Sequence, residues 1–139
     1  MEAEVGKDLE LFQRMLPHLR FLLDVMARSG FKELNKLSEG ELVASQGIAE
    51  MLASGEAHCL LQFRELGNSG AKVVAEAMKH TAMEELNLDD NEIGAEGAEA
   101  LGESLKGNNS LQRLELYSNN IGDAVAKAFG DGLKENNSL

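Results

Sequence analysis

The sequence is poor in the residues that staple or stiffen a small fold. Its 139 residues include one cysteine, one proline and no tryptophan, and aromatics make up only 4%. A lone cysteine, Cys59, cannot close an internal disulfide, so a reducing compartment, the cytoplasm, is the default expectation. With so few aromatics, Leu, Ala, Val and Met must build the interior, which favours closely packed helices and short strands over an aromatic-rich sandwich. No run reaches the roughly 20 consecutive apolar residues of a membrane-spanning helix. The acidic start, MEAEVGKDLE, has neither the basic opening of a signal peptide nor the Arg/Ser character of a transit peptide. Cations are scarce as well: 13 Lys and Arg against 24 Asp and Glu give a formal net charge of -11. Such a surface repels phosphate, so neither nucleic acid nor anionic lipid is an expected partner.

What the chain does have is repetition. MEELNLDDNEIGAEGAEALGESLKGNNSL (83–111) overlays LQRLELYSNNIGDAVAKAFGDGLKENNSL (111–139) without a gap. Leu86 falls on Leu114, Leu88 on Leu116, Asn91 on Asn119, Ile93 on Ile121 and Leu105 on Leu133. A third copy, LQFRELGNSGAKVVAEAM (61–78), lies upstream with a shift of 27 rather than 28 residues; Leu66, Gly67, Gly70, Ala71, Val74 and Met78 hold its apolar and glycine positions. Before it, GELVASQGIAEMLASG keeps only a helical half, with Ile48 and Leu52 in the roles of Val74 and Met78. Self-similarity at this period marks stacked units that bury their apolar faces against one another.

Each unit reads as a short strand followed by a helix. Leu86 and Leu88 alternate with Glu85, Asn87 and Asp89, the period of a half-buried strand. Ala98, Leu101 and Leu105 recur at three and four residues, the stripe of an amphipathic helix. Gly94, Gly97 and Ala98 are small enough to let helix and strand approach closely, and GNN closes the helix with residues suited to a left-handed exit. An inward Asn91 or Asn119 amide can satisfy backbone groups where the strand bends away; Arg64 holds that place in the third copy, so the amide ladder is expected to start at Asn91.

The pattern LNLDDNEIG…AEALGESL, repeated as LELYSNNIG…AKAFGDGL, resembles the ribonuclease-inhibitor-type leucine-rich repeat of NOD-like receptors, tropomodulin-like proteins and the GTPase-activating protein for Ran. The resemblance covers about residues 59–139. It implies an α/β fold: a short curved solenoid with parallel strands on the concave face, helices on the convex face, and residues 1–55 as an N-terminal helical cap or interaction region before repeats at 56–139. It also implies a non-catalytic scaffold that binds another protein, or, as the alternative, a regulatory module of the GTPase-activating or innate-sensor class. That alternative needs an arginine at the strand ends, where Arg64 is the candidate.

Residues 1–55 do not follow the repeat. Phe12, Met15, Leu16, Leu19, Leu22, Leu23 and Met26 share one helical face, with Pro17 marking a kink or a break. That face either caps the first unit or, through Phe12, Leu16, Leu19 and Leu23, docks into a partner's groove.

Other motifs fail on their chemistry. DDNEIG (89–94) opens like a calcium loop, but Ile93 and Ala100 stand where liganding oxygens are required. Asn108-Asn109-Ser110 and Asn136-Asn137-Ser138 fit the glycosylation sequon and are better explained as the repeat's helix-to-strand turn. His18, His58 and His80 lack metal-ligand spacing, and no catalytic pair stands out, so neither metal, cofactor nor enzymatic activity is expected.

The strand period sends alternate side chains away from the helices. In the first unit these are His58, Leu60 and Gln62; in the second, Glu85, Asn87 and Asp89; in the third, Arg113, Glu115 and Tyr117. Tyrosine and arginine often dominate interfaces, so Tyr117 and Arg113 are the expected anchors of a protein partner, with Glu115, Asp89, Asn87 and Glu85 as the binding rim around them. Leu139 matches Leu111, so a further unit or another chain is expected to cover the last helix, placed at 124–135.

Overall fold

The computed structural model describes residues 37–139 together with Gln13, Pro17, His18, Arg20 and Phe21, these five being helical. The helix positions Phe12, Leu16, Leu19 and Leu23 lie outside the described residues. From residue 37 the order is helix α1 (Glu39–Ser54), strand β1 (His58–Leu60), helix α2 (Gly67–Met78), strand β2 (Glu85–Asn87), helix α3 (Ala95–Ser104), strand β3 (Arg113–Glu115), a 3-10 turn (Asp123–Val125) and helix α4 (Ala126–Lys134). The last helix is thus shorter than its sequence stripe, its first turn wound more tightly.

The strands form one parallel sheet in the order β1-β2-β3. Cys59 lies opposite Leu86, and Leu86 opposite Leu114, the register given by shifts of 27 and 28 residues. Three-residue strands cannot stand alone. They persist because a helix follows each one and the helices pack side by side, sealing one face of the sheet. Between sheet and helices lies a single interior: Ile48, Leu61, Leu66, Val74, Met78, Met83, Leu86, Leu88, Ile93, Leu101, Leu105 and Leu111 are buried, Cys59 among them. Each such aliphatic side chain contributes about 1.5–3 kcal/mol on leaving water.

α1 starts at a reciprocal cap. Ser38 Oγ accepts from Glu41 N at 3.2 Å and Glu41 Oε1 accepts from Ser38 N at 3.0 Å. It ends on Gly55 at φ 76°, a left-handed cap. Ile48 takes its expected depth, but Leu52 is only half-buried and Met51 goes deeper.

The small residues serve a different contact from the expected one. A methyl group on Gly97 would meet Ala71 Cβ and Asn68 Oδ1 at 2.9 Å, and one on Gly102 would meet the Ala128 carbonyl carbon at 2.9 Å. Both positions let neighbouring helices touch, rather than helix and strand. Asn68 uses that closeness. Its Oδ1 accepts from Gly94 N (2.8 Å) and Gly97 N (2.9 Å), capping α3 from the preceding unit. Ala95 holds the equivalent place for α4, has no acceptor to offer, and the chain there winds as the 3-10 turn.

The amide ladder is present. Asn91 Oδ1 accepts from Arg64 N (2.9 Å) and Leu66 N (3.4 Å), while its Nδ2 donates to the carbonyls of Leu61 (2.8 Å) and Asp89 (3.1 Å). One unit on, Asn119 Oδ1 accepts from Asn91 N and Ile93 N, both at 3.0 Å, and Nδ2 donates to Leu88 O at 2.9 Å. At the opposite ends of the strands, Asn108 Oδ1 accepts from Ser110 N and Leu111 N, and Asn136 Oδ1 from Ser138 N and Leu139 N. Asn136 Nδ2 also donates to Leu105 O and Asn108 O. Of the GNN exit only Gly107 is left-handed, at φ 70°; Asn108 acts through its amide, and Glu135, in place of Gly107, sits at φ -100°.

Burial declines in the third unit. Leu86, Leu88, Ile93, Leu101 and Leu105 are buried, whereas Leu114, Leu116, Ile121 and Phe129 are half-buried and Leu133 is 47% exposed.

Asn91 is fully buried and Asn119 is not. Asn91→Ala strands the Arg64 and Leu66 amides and the Leu61 carbonyl, the Asp89 carbonyl keeping Phe63 N, and is expected to cost about 3 kcal/mol, against about 2 kcal/mol for Asn119→Ala, whose side chain is only half-buried. Urea unfolding followed by far-UV circular dichroism measures both.

Candidate protein-binding face

One face of the sheet is covered by the helices; the other is open. The register places His58, Glu85 and Arg113 in one row across the open face and Leu60, Asn87 and Glu115 in the next. Asp89 and Tyr117 continue it past the strand ends. All six expected binding residues therefore share this side, but they are not equally free.

Arg113 folds back along its own strand, with Nη2 and Nε donating to Glu115 Oε1 at 2.8 and 3.1 Å. Asp89 Oδ1 accepts from Tyr117 N at 2.6 Å, tying the second turn to the third. Asn87 Oδ1 accepts from Asp89 N at 2.9 Å and fixes the start of the turn. Asn87 and Asp89 shape the backbone; Arg113 and Glu115 neutralise each other. Tyr117, its ring 78% exposed, is held only through its backbone. An exposed pair such as Arg113–Glu115 contributes about 0–1 kcal/mol, so a partner can open it at little cost.

Two further side chains belong to this surface. Leu60 is 54% exposed on the open sheet face, and Phe63 is 71% exposed just beyond β1. Phe63 escaped the pattern analysis because its register mates, Asp90 and Ser118, are polar turn residues; an aromatic at a turn position was the available signal. The turns have an unusual backbone. Phe63, Asp90 and Ser118 sit at φ 59°, 54° and 54°, and Glu65 and Glu92 at 53° and 56°. These left-handed residues flank Arg64 and Asn91 on both sides and Asn119 on one; Asn91 is buried between its neighbours, whereas Arg64 is exposed like the residues beside it. Each costs a non-glycine residue about 1–2 kcal/mol. The amide bonds of Asn91 and Asn119 hold the strained shape in place.

A groove of about 690 Å³ follows these turns, lined by Phe63, Glu65, Asp90, Glu92, Ser118, Asn119 and Asn120. On the helical side Lys72 pairs with Glu96, Lys79 with Glu76 and Lys106 with Glu103. Along the groove, Glu65, Asp90 and Glu92 are exposed and, among the described residues, have no ion-pair partner. Arg64 is exposed beside Glu65.

No described group of three His, Cys, Asp or Glu could hold a metal ion, and no described helix is long and apolar enough to cross a membrane. Cys59 is a core residue, and its burial pushes the thiol from an ordinary 9.0 up to about 12.

Comparison with known families agrees with this geometry: residues 79–102 and 107–130 each match the family model described as Leucine Rich repeat. The matches run from the end of α2 through β2 and α3, and from the following turn through β3 into α4. The chain thus carries two leucine-rich repeats, a kind of unit that generally mediates protein–protein interaction and is typically non-catalytic. No curated protein matches the chain.

The raised Cys59 pKa sets a sign. The folded protein keeps the proton that the unfolded chain releases, so this contribution is whole below pH 9.0 and is lost as pH rises to about 12. The difference in unfolding free energy between wild type and Cys59→Ala is therefore expected to shrink across that window, as alkaline urea titrations will register. Ellman's reagent should leave the native thiol untouched and react once the chain is unfolded.

Proposed function

We propose that this chain is a non-catalytic protein-interaction module of the ribonuclease-inhibitor repeat type. In this reading the three units curve so that the open sheet face is concave, and residues 1–55 cap the first unit. A partner protein rests against Tyr117, with Arg113, Glu115, Glu85, Asn87 and Asp89 around it. The exposure of Tyr117 is the observation that carries the reading. An aromatic ring stands free at a sheet face that is polar apart from Leu60, its backbone tied by the bond from Tyr117 N to Asp89 Oδ1. Such preorganised aromatics bind at low entropic cost. The half-buried Leu114, Leu116 and Phe129 and the exposed Leu133 support a second contact, with another chain, at the third unit. The net charge of -11 argues against nucleic acid, and the single buried cysteine favours a reducing compartment, the cytoplasm.

Cross-linking with mass spectrometry in native extract identifies the partner; titration of the purified pair then measures the face. Tyr117→Ala is expected to weaken binding at least about tenfold and Arg113→Ala about threefold. Unchanged affinity in both variants would remove this face from the interface. The regulatory alternative has one residue behind it, the exposed Arg64: a GTPase-activating role predicts that GTP hydrolysis by the cognate GTPase is stimulated by wild type and not by Arg64→Ala.

A further inference from the structure

The groove along the strand-to-helix turns lies beyond the open sheet face and has its own composition. Phe63 projects at one end, in a row whose other members are Asp90 and Ser118; Glu65, Glu92 and Asn120 form the facing row. Tyr117 immediately precedes Ser118 at the far end. An aromatic ring placed among hydrogen-bonding turn residues gains nothing from the fold: it is 71% exposed and sits in a left-handed conformation that Asn or Gly would adopt more cheaply. Its surroundings state what would cover it. Three carboxylates without ion-pair partners among the described residues flank the ring, while Lys72, Lys79 and Lys106 are paired with glutamates on the helical side.

We infer that this groove binds an extended, arginine-bearing segment of a partner protein, one guanidinium stacked on Phe63 and held by the groove's carboxylates. The inference rests on the reading of the chain as a protein-interaction module and adds the partner's chemistry. Guanidinium fits better than ammonium, because its plane stacks on an aromatic face while its edge donates two parallel hydrogen bonds to a carboxylate. The dimensions agree. Adjacent strands lie about 4.8 Å apart, so the three turns span about 10 Å, the reach of three extended residues. A segment with arginines at alternate positions would set one on Phe63 and Glu65 and the next near Asp90 and Glu92. Arg64, exposed beside Glu65, is the one repulsive group at that end and favours entry of the segment from the Tyr117 side.

The test is fluorescence anisotropy of a fluorescein-labelled peptide of four Arg-Ser repeats, which carries arginine at alternate positions, titrated with the full chain at about 0.15 M salt. Phe63→Asn keeps the left-handed turn and removes the ring; Glu65→Gln with Glu92→Gln removes two groove charges; Glu99→Gln with Glu103→Gln removes two from α3 as a charge-matched control. The ring variant and the groove pair are each expected to weaken binding at least about fivefold, the control pair less than about twofold, and the matching Lys-Ser peptide should bind at least about threefold more weakly. Equal losses in the two double variants would mean diffuse attraction to an acidic chain and overturn the inference. So would indifference to Phe63→Asn, absence of binding, or displacement of the peptide by millimolar calcium at constant ionic strength, which would hand the carboxylates to a cation. Failure here leaves the wider reading standing if Tyr117→Ala still weakens the cross-linked partner; failure of both removes the interaction role from this side of the molecule.

Discussion

The fold depends on two asparagine side chains that stitch each unit to the next. Where a strand turns toward its helix, backbone amides and carbonyls leave the sheet and lose their partners. Asn91 answers by accepting two amides of the preceding unit and donating to carbonyls of that unit and its own, and Asn119 repeats the arrangement. An amide is suited to this because it donates and accepts at once. A buried carboxylate could only accept, and would carry a charge into the interior.

That requirement also creates the surface. Asn91 faces inward between two left-handed neighbours, and the same left-handed positions in the first two turns carry Phe63, Glu65, Asp90 and Glu92 outward. Side chains displayed in this way sit on a backbone held by the interior, so they lose little freedom when a ligand arrives. The acidic excess is then distributed by the helices. Lys72, Lys79 and Lys106 pair with Glu96, Glu76 and Glu103 there, whereas the turn carboxylates Glu65, Asp90 and Glu92 have no ion-pair partner among the described residues. Binding potential in this molecule follows from a packing constraint at the turn.

Much of the architecture could be read from the period alone. The 28-residue shift fixed which leucines lie opposite each other, and the 27-residue shift correctly placed Cys59 beside Leu86 in the interior. Sharing of one side by the six expected binding residues followed from strand alternation. Their pairing state did not. Arg113 and Glu115 stand two apart on the same face, a spacing that permits the ion pair without requiring it. Asn87 and Asp89, expected to face a partner, also shape the turn through their side-chain oxygens. Phe63 was hidden by its neighbours in register, since a repeat is read by what its copies share and this residue departs from them. The glycines were assigned to the wrong contact because sequence shows that something approaches closely, and only coordinates show what.

Asn68 carries a lesson about modularity. Its side chain leaves α2 to terminate the amide ends of α3, so part of what shapes one unit is encoded about 26 residues upstream, in another. Units of this chain are therefore not interchangeable beads. A splice that joined the segment after residue 78 to a foreign neighbour would hand α3 a first turn with no acceptor, as Ala95 already does to the helix after it. An engineer lengthening the array by duplicating residues 79–106 would copy alanine at that place and propagate the weaker start; restoring Asn in each copy would make the duplication self-consistent.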